Sequence, residues 1–480
     1  MIRNFHEAVG VAWHILKEYS NAELYIVGGA VRDWFAFGKE PSEIDFVTNL
    51  KPDQLLAIFP AADVVGKSFG VVKAGVCRGP GIPFVDVATY RRDCYSADMV
   101  HTKGCEAIEF AASLEEDLSR RDFTFNAMAL PVKDHNRIHQ WDFTLADLID
   151  PFGGYNDLHK RQVRFVGNAA ERISEDPCRL LRGCRFTGLF PDGAFGKNTE
   201  INIRIDAKKV DLCAKERIHD ELMKCMHLPH PEQAIWWMVR VGLMARFFPE
   251  LADCRSVTQN KYHVDDVLQH CLLSMKSVNP KYPLIRFAAL VHDIGKPPTK
   301  ALHADGEIHF FDHEQRGADI LAHRLQQLKF SNEEIRYICE MVYRHMFFFE
   351  KITKLATYRR FMAKLKVPVR DLLRLRIADR KGNRAKQNRP LITHAFRRTL
   401  RVIRHIESEK YALTLKDVHM NGTMLKAMGI VPGPIYTEIL NSCFNLVLAH
   451  PWTNRAWLLK LYVYSNHWYG SSVFESRKRI

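Results

Sequence analysis

Apolar spacing changes once along this chain, and that change limits its fold more than any other feature. From Glu23 to about Val132, runs such as AELYIVGGAV, IDFVTN, GVVKAGV and PFVDVATY read as short strands separated by Gly, Pro and Asp. Beyond about Val166, segments such as RLLRGCRFTGLF, IHDELMKCM and EQAIWWMVRVGLMARFF space their apolar residues as helices do. The pattern predicts an α+β chain, a β-sheet head followed by all-helical parts. At 480 residues the chain exceeds one ordinary domain. Four parts are expected: a head over 1–140, a helical neck and body over 141–253, a helical domain over 254–400 and a helical tail over 401–480. No fixed-period repeat and no Gly/Ser-rich linker separates them.

Composition narrows the class. With 47% hydrophobic and 26% charged residues the chain can fill several cores, which excludes disorder as its main state. The first twenty residues lack the uncharged apolar run of a secretory signal, and no later stretch reaches the roughly 20 apolar residues of a membrane span. A cytoplasmic protein without a membrane partner is expected. Eleven cysteines lie scattered from Cys77 to Cys443 with no Cys-x-x-Cys pair, so reduced thiols are expected. The net charge of +14 is uneven: residues 351–410 hold 19 Lys or Arg against Asp371, Asp379, Glu407 and Glu409. That surplus offers a phosphate-binding face, or else only the solvated sides of basic helices.

The first chemistry-bearing run is Val27-Gly28-Gly29-Ala30-Val31-Arg32-Asp33, at the end of an apolar strand and the start of a helical segment. Two glycines let backbone amides approach a triphosphate, and a helix N-terminus favours the anion; a tight turn alone would use the same pair. Glu43 and Asp45 follow at i and i+2 of the next strand-like segment, a spacing that points both carboxylates to one side. Asp86 on a later strand would complete a cluster able to hold Mg²⁺ for in-line displacement at phosphorus, whereas taken singly each is an ordinary strand-end acid.

Together these residues resemble the head of class II tRNA nucleotidyltransferases and bacterial poly(A) polymerases, which implies a polymerase-beta-like fold. The family has Asp-x-Asp where this chain has Glu43 and Asp45. The run from Arg120 to Ala127 is similar to the family's RRDxxxNA motif, implying that Arg121, Asp122 and Asn126 join Gly28, Gly29 and Arg32 around the nucleotide, on its ribose side. Glu175-Asp176-Pro177-Cys178-Arg179 resembles its EDxxR motif, flanked by Arg182. Asp176 and Arg179 are expected at i and i+3 of one helix, where an acceptor-only and a donor-only group can read the edges of C and A. In the family the preceding acid, here Glu175, orients the arginine. The resemblance implies Mg²⁺, CTP, ATP and tRNA.

A second constellation comprises His270, adjacent His292 and Asp293, and Asp379. It resembles the HD phosphohydrolase pattern, whose imidazole and carboxylate ligands suit Ni²⁺ or another divalent transition metal such as Co, Mn or Fe(II). His313 and His345 stand where larger HD sites place second-metal ligands, although packed or capping histidines would read the same. An HD module after a class II body is similar to bacterial CCA enzymes whose HD part acts on 2′,3′-cyclic phosphates and 2′-phosphates. Leu415 to Leu459 resembles their tRNA-gripping tail. Four readings stay open: a full CCA enzyme, a CC- or A-adding enzyme decided by the loop between Arg91 and Glu116, a poly(A) polymerase, and an HD phosphohydrolase with a degenerate RNA-binding head. Monomer and homodimer are both open.

Overall fold

Strands β1 (Leu24–Val27), β2 (Asp45–Thr48), β3 (Asp63–Val64), β4 (Val71–Ala74), β5 (Val85–Thr89) and, after a separate hairpin β6 (Arg91–Cys94) and β7 (Ala107–Phe110), β8 (Ala129–Pro131) build the head. Their order in the six-stranded sheet is β3-β4-β5-β2-β1-β8. Among the described residues of this sheet, β2 and β5 pair parallel, with Phe46 beside Val87, and the other ladders are antiparallel. The computed structural model describes residues 2–41, 43–60, 62–64, 71–75, 84–94, 107–110, 113–259, 264–302, 306–347, 354–386 and 388–468. Most of the loop between Arg91 and Glu116, expected to govern C-to-A switching, lies outside them.

The chain divides into two compact units, Met1–Val257 with Asn279–Phe287 and Arg324–Phe330, and Thr258–Val278 with Ala288–His323 and Ser331–Ile480. In the first unit, helices α1 (Ile2–Glu18), α2 (Gly29–Phe37), α3 (Pro52–Ile58), α4 (Leu114–Ser119), α5 (Asn136–Gln140) and α6 (Gly154–His159) accompany the sheet. Val27, Val47, Tyr90, Leu118, Ala127, Ala129 and Val166 close one core, because alternate strand residues share one face. Then follow β9 (Gln162–Val163), α7 (Ala169–Glu175), α8 (Arg179–Thr187), β10 (Ala194–Phe195), α9 (Lys197–Ile205), α10 (Lys215–Cys225) and α11 (Pro231–Arg240).

Among its described residues the second unit is helical but for one antiparallel strand pair, β11 (Lys300–Leu302) with β12 (Ile308–Phe310). Its helices start where the sequence supplies caps: Asp266, Ser331 and Thr393 accept backbone N–H groups ahead of Val267–Lys276, Asn332–Arg344 and His394–Ser408. Val267–Lys276 packs on Val369–Gly382. The sheet-then-helix architecture agrees with the apolar spacing, with one correction: β10, β11 and β12 fall in stretches read as purely helical. Two or three residues are too few to leave a period-2 pattern. Among the described residues no helix is long and apolar enough to cross a membrane.

Candidate active and metal sites

At the head, β1 ends on Val27 and the chain turns at Gly28, with φ 72° and ψ −129°, a backbone conformation that side chains resist. The helix α2 begins at once, with no side chain capping it, so its first amides are presented as an anion cradle. One turn in, Arg32 donates to Asp33 and to Asn126 Oδ1 at 3.0 Å, and its guanidinium lies 5.2 Å from the Phe186 ring centre. Asn126 in turn donates to Asp122, and Asp122 pairs with Arg182 at 2.7 Å. Behind them, the buried carboxylate of Asp117 grips both Arg120 and Arg121. Five of the nucleotide-binding expectations, Arg32, Arg121, Asp122, Asn126 and Arg182, thus share one polar network beside the Gly28-Gly29 turn.

The acids lie close by. Asp45 opens β2, and the parallel register that sets Phe46 beside Val87 sets Asp45 beside Asp86. Glu43 is not on the strand as its spacing suggested; it occupies the bend ahead of β2, exposed, with Ile44 buried between the two acids. Asp45 keeps an exposed edge, yet partial loss of water around its carboxyl, then the Asp86 carboxylate, push it up to about 6; Arg121 pulls it down and Glu43 adds to the rise. Asp86 and Glu43 both raise the Asp45 carboxyl, and all three acids offer only oxygen donors, the kind Mg²⁺ takes.

The Asp176 and Arg179 expectation needs one correction. Asp176 is not on a helix with Arg179: α7 stops at Glu175, Asp176 is extended at φ −146° and ψ 99°, and α8 starts at Arg179. Pro177 is the reason, since a residue preceding proline is driven out of the helical region. The two still meet across the break, where the Arg179 N–H bonds the Asp176 carbonyl at 2.9 Å. Arg179 donates to Glu175 at 2.5 Å and to the Arg172 and Arg120 carbonyls, which fixes its plane. Asp176 is held by Arg217 through two bonds of 2.9 and 2.7 Å and by the Cys178 N–H. Burial opposes ionisation, but Arg217 keeps the carboxyl below its ordinary value. Those three bonds leave a lone pair for a base edge.

In the second unit, the Nε2 atoms of His270 and His292 approach to 3.2 Å, and Asp379 Oδ1 and Asp293 Oδ2 lie 3.2 and 3.5 Å from His270 Nε2. His313 and His345 join from the other side: their Nε2 atoms are 3.4 Å apart and stand 3.4 and 3.7 Å from Asp293 Oδ1. Asp293 therefore faces two ligand groups, one with each carboxylate oxygen. His292, His313 and His345 bond backbone carbonyls through Nδ1, which leaves each Nε2 as the ligand atom. Burial holds His345 below its ordinary value, whereas at His292 burial is outweighed by the Asp293 carboxylate, which holds it above its own. Gly295 makes the second group reachable, since a Cβ there would stand 2.0 Å from the His313 carbonyl oxygen. The donor set fits one or two borderline transition-metal ions.

Four residues that hold these side chains in place were given no role of their own by the sequence reading. Asp117 carries a signal in its i, i+3 and i, i+4 spacing to Arg120 and Arg121. Arg217 reaches Asp176 from 41 residues away, without a local signal. Lys296 donates to Asp293 Oδ2 at 2.7 Å, and Arg376 to Asp379 at 2.9 Å, both at i, i+3 from their partners.

The chain matches three family models in sequence: "Poly A polymerase head domain" over residues 24–164, "Probable RNA and SrmB- binding site of polymerase A" over 194–255, and "HD domain" over 262–381. Fold and sites together define a polymerase-beta-like nucleotidyltransferase joined to an HD domain. The Multifunctional CCA protein of Cupriavidus metallidurans is 33% identical over 320 residues, 65% of this chain and 72% of that protein. The A-adding tRNA nucleotidyltransferase of Deinococcus radiodurans is 29% identical over 432 residues, 87% of this chain and 89% of that protein. The Bacillus stearothermophilus CCA-adding enzyme in complex with CTP has the same fold, with a TM-score of 0.64 at 23% identity over 96% of this chain and 98% of that one. The chain belongs to the tRNA nucleotidyltransferase family that contains the CCA-adding enzymes and the multifunctional CCA proteins.

Proposed function

We propose that this chain builds or repairs the 3′-terminal CCA of tRNA from CTP and ATP without a nucleic-acid template. The observation that carries the reading is the joint placement of the Gly28-Gly29 turn, the Arg32–Asn126–Asp122–Arg182 network and the Asp45 and Asp86 pair. The tRNA 3′-hydroxyl attacks the α-phosphorus, a new P–O bond forms, and pyrophosphate leaves with the electron pair of the broken one. Mg²⁺ held by Glu43 and Asp45, with Asp86 beside them, would make the hydroxyl more acidic and steady the triphosphate. The α2 amides and Arg32 bind the triphosphate, and Asn126 and Asp122 set the ribose. Asp176 and Arg179 select the base. Positioning and electrostatics supply most of the acceleration, as in phosphoryl transfer generally. The four-part division, 1–140, 141–253, 254–400 and 401–480, belongs to this proposal, the last part holding the outer tRNA.

For the HD centre the same reading assigns hydrolysis of 2′,3′-cyclic phosphates and 2′-phosphates. Ni²⁺ or a similar ion on His270, His292, Asp293 and Asp379 would supply an activated water. Arg376 and Lys296 hold the two carboxylates in position, and His313 and His345 face Asp293 as ligands for a second ion. Incubating tRNA lacking CCA with labelled CTP and ATP tests the main reading: incorporation of both nucleotides is expected, and incorporation of neither overturns it. A second reading, A-addition alone, is favoured by the Deinococcus radiodurans relative, which aligns over nearly its whole length. ATP incorporation confined to tRNA already ending in CC would establish it.

A further inference from the structure

A chain of hydrogen bonds leads away from the HD ligands to a cluster of cations. Lys296 donates to Asp293 Oδ2 and to Gln259 Oε1, each at 2.7 Å. Gln259 donates onward to the Asp265 carbonyl at 3.1 Å, and the buried Asp265 carboxylate receives Arg384 Nε at 2.9 Å through both oxygens. Arg384 opens a short turn, Arg384–Lys386, just after the helix Val369–Gly382 that carries Asp379. Those bonds fold the turn back beside the HD centre, where Lys386 faces Asp379, Arg376, Arg380 and Lys296.

The charges there do not balance. Asp293 is paired with Lys296 at 2.7 Å, Asp379 with Arg376 at 2.9 Å, and Asp265 with Arg384. Arg380 donates to the neutral Pro390 carbonyl at 2.7 and 3.2 Å, and neither it nor Lys386 has an ion pair among the described residues. Lys386 is also partly buried. Burial draws its ammonium below the ordinary value, Asp379 opposes, and Arg376, Arg380 and Lys296 add to the fall. A half-dry ammonium among like charges costs stability until an anion meets it. Beside a reaction centre, such a group marks a ligand site. Phosphate suits it, because the charge is opposite and the three donors of a lysine meet phosphate oxygens as a point charge, without demanding a fixed plane. We infer that Lys386, its field raised by Arg380, binds the phosphate of the HD substrate on the Asp379 side of the centre. The inference rests on the reading of that centre as a phosphohydrolase, and names the residue that holds the substrate rather than the ion.

Titration calorimetry of the full chain, loaded with Ni²⁺ and dialysed, against inorganic phosphate tests this without turnover. Lys386→Ala is expected to weaken phosphate binding about tenfold, as removing one charged donor from an anion ordinarily does. Bound metal, read by elemental analysis, should stay at the wild-type level, and Lys386→Arg should restore most of the phosphate affinity. Phosphate held at the head is common to wild type and variant and drops out of the difference. On 2′,3′-cyclic AMP the loss should fall on KM, with kcat little changed. Lys386→Met, which keeps the length of the side chain without its charge, serves if Lys386→Ala does not fold. Wild-type phosphate affinity in the folded variant overturns the proposal. So does a loss of affinity that comes with a loss of metal, which would make Lys386 a support of Asp379. A wild-type chain that cleaves no cyclic nucleotide yet binds phosphate through Lys386 would remove the hydrolysis proposed above and sustain the subsite.

Discussion

Replacing Asp117 by Asn tests whether the arginine pair of the nucleotide site is held by a buried charge. Asp117 is 0% exposed and receives Arg120 at 2.7 and 3.1 Å, Arg121 at 3.1 and 3.3 Å, and the Arg91 N–H at 3.3 Å. Asn keeps the volume but removes the charged carboxylate that both guanidinium groups share. Breaking a buried ion pair from one side costs about 3–5 kcal/mol. Solvent reaches both arginine side chains, 15% and 18% exposed, so the low end, about 3 kcal/mol, is expected. For a unit of this size, at about 2–4 °C per kcal/mol, the melting temperature should fall by about 6–12 °C. Burial works against the Asp117 charge, yet Arg121 and Arg120 hold the carboxyl below its ordinary 3.8. A depressed carboxylate stabilises the fold above its unfolded value and loses that contribution as pH falls through the folded one. The gap between wild type and Asp117→Asn should therefore be constant from pH 8 to 5 and narrow only below about 3.8. Scanning calorimetry across that range reads both quantities. A fall under 2 °C at neutral pH, or a gap already closing near pH 6, would refute the buried-charge account.

Asp45→Ala should abolish nucleotide addition and leave phosphodiester hydrolysis intact, whereas Glu43→Asp, which restores the family's usual carboxylate, should retain or raise addition; both are read with labelled CTP and with a cyclic nucleotide. Arg217→Ala frees the Asp176 carboxylate, so discrimination between CTP or ATP and other nucleotides should drop by about tenfold, the worth of one charged hydrogen bond. Unchanged kcat/KM ratios would reduce the Arg217–Asp176 pair to a structural tie. Gly295→Ala forces the His313 helix away, so bound transition metal should fall by about one ion per chain in elemental analysis. Metal content equal to wild type would return His313 and His345 to packing roles.

Much of both sites was legible because their residues fall in short strings whose spacing the local backbone imposes. Gly28 and Gly29, Asp122 and Asn126, and His292 and Asp293 each work within one turn or bend. His270 and Asp379 were readable only through resemblance, since they lie on helices Val267–Lys276 and Val369–Gly382, which are far apart in sequence and pack together only in the fold. Asp176 and Arg179 show the opposite error. Their spacing suggested a shared helix face, and the proline between them, present in the sequence, was the better guide. Arg217 was hidden because its meaning depends on where α10 lies against the break between α7 and α8, and nothing local encodes that.

Removing the metals separates the two chemistries. The head offers Glu43, Asp45 and Asp86, all oxygen donors, while the HD centre offers up to four imidazoles around Asp293 and Asp379. Mg²⁺ demands near-octahedral oxygen coordination and binds imidazole poorly, whereas Ni²⁺, Co²⁺ and Mn²⁺ accept nitrogen and carboxylate together. After dialysis against a chelator, both activities should be lost. Mg²⁺ alone should then restore nucleotide addition, and Ni²⁺, Co²⁺ or Mn²⁺ should restore hydrolysis of 2′,3′-cyclic nucleotides. His292→Ala should block only the second recovery, because it deletes a ligand of the HD centre and none of the head. Full recovery of hydrolysis with Mg²⁺ alone would mean that the imidazoles around Asp293 do not bind the working ion.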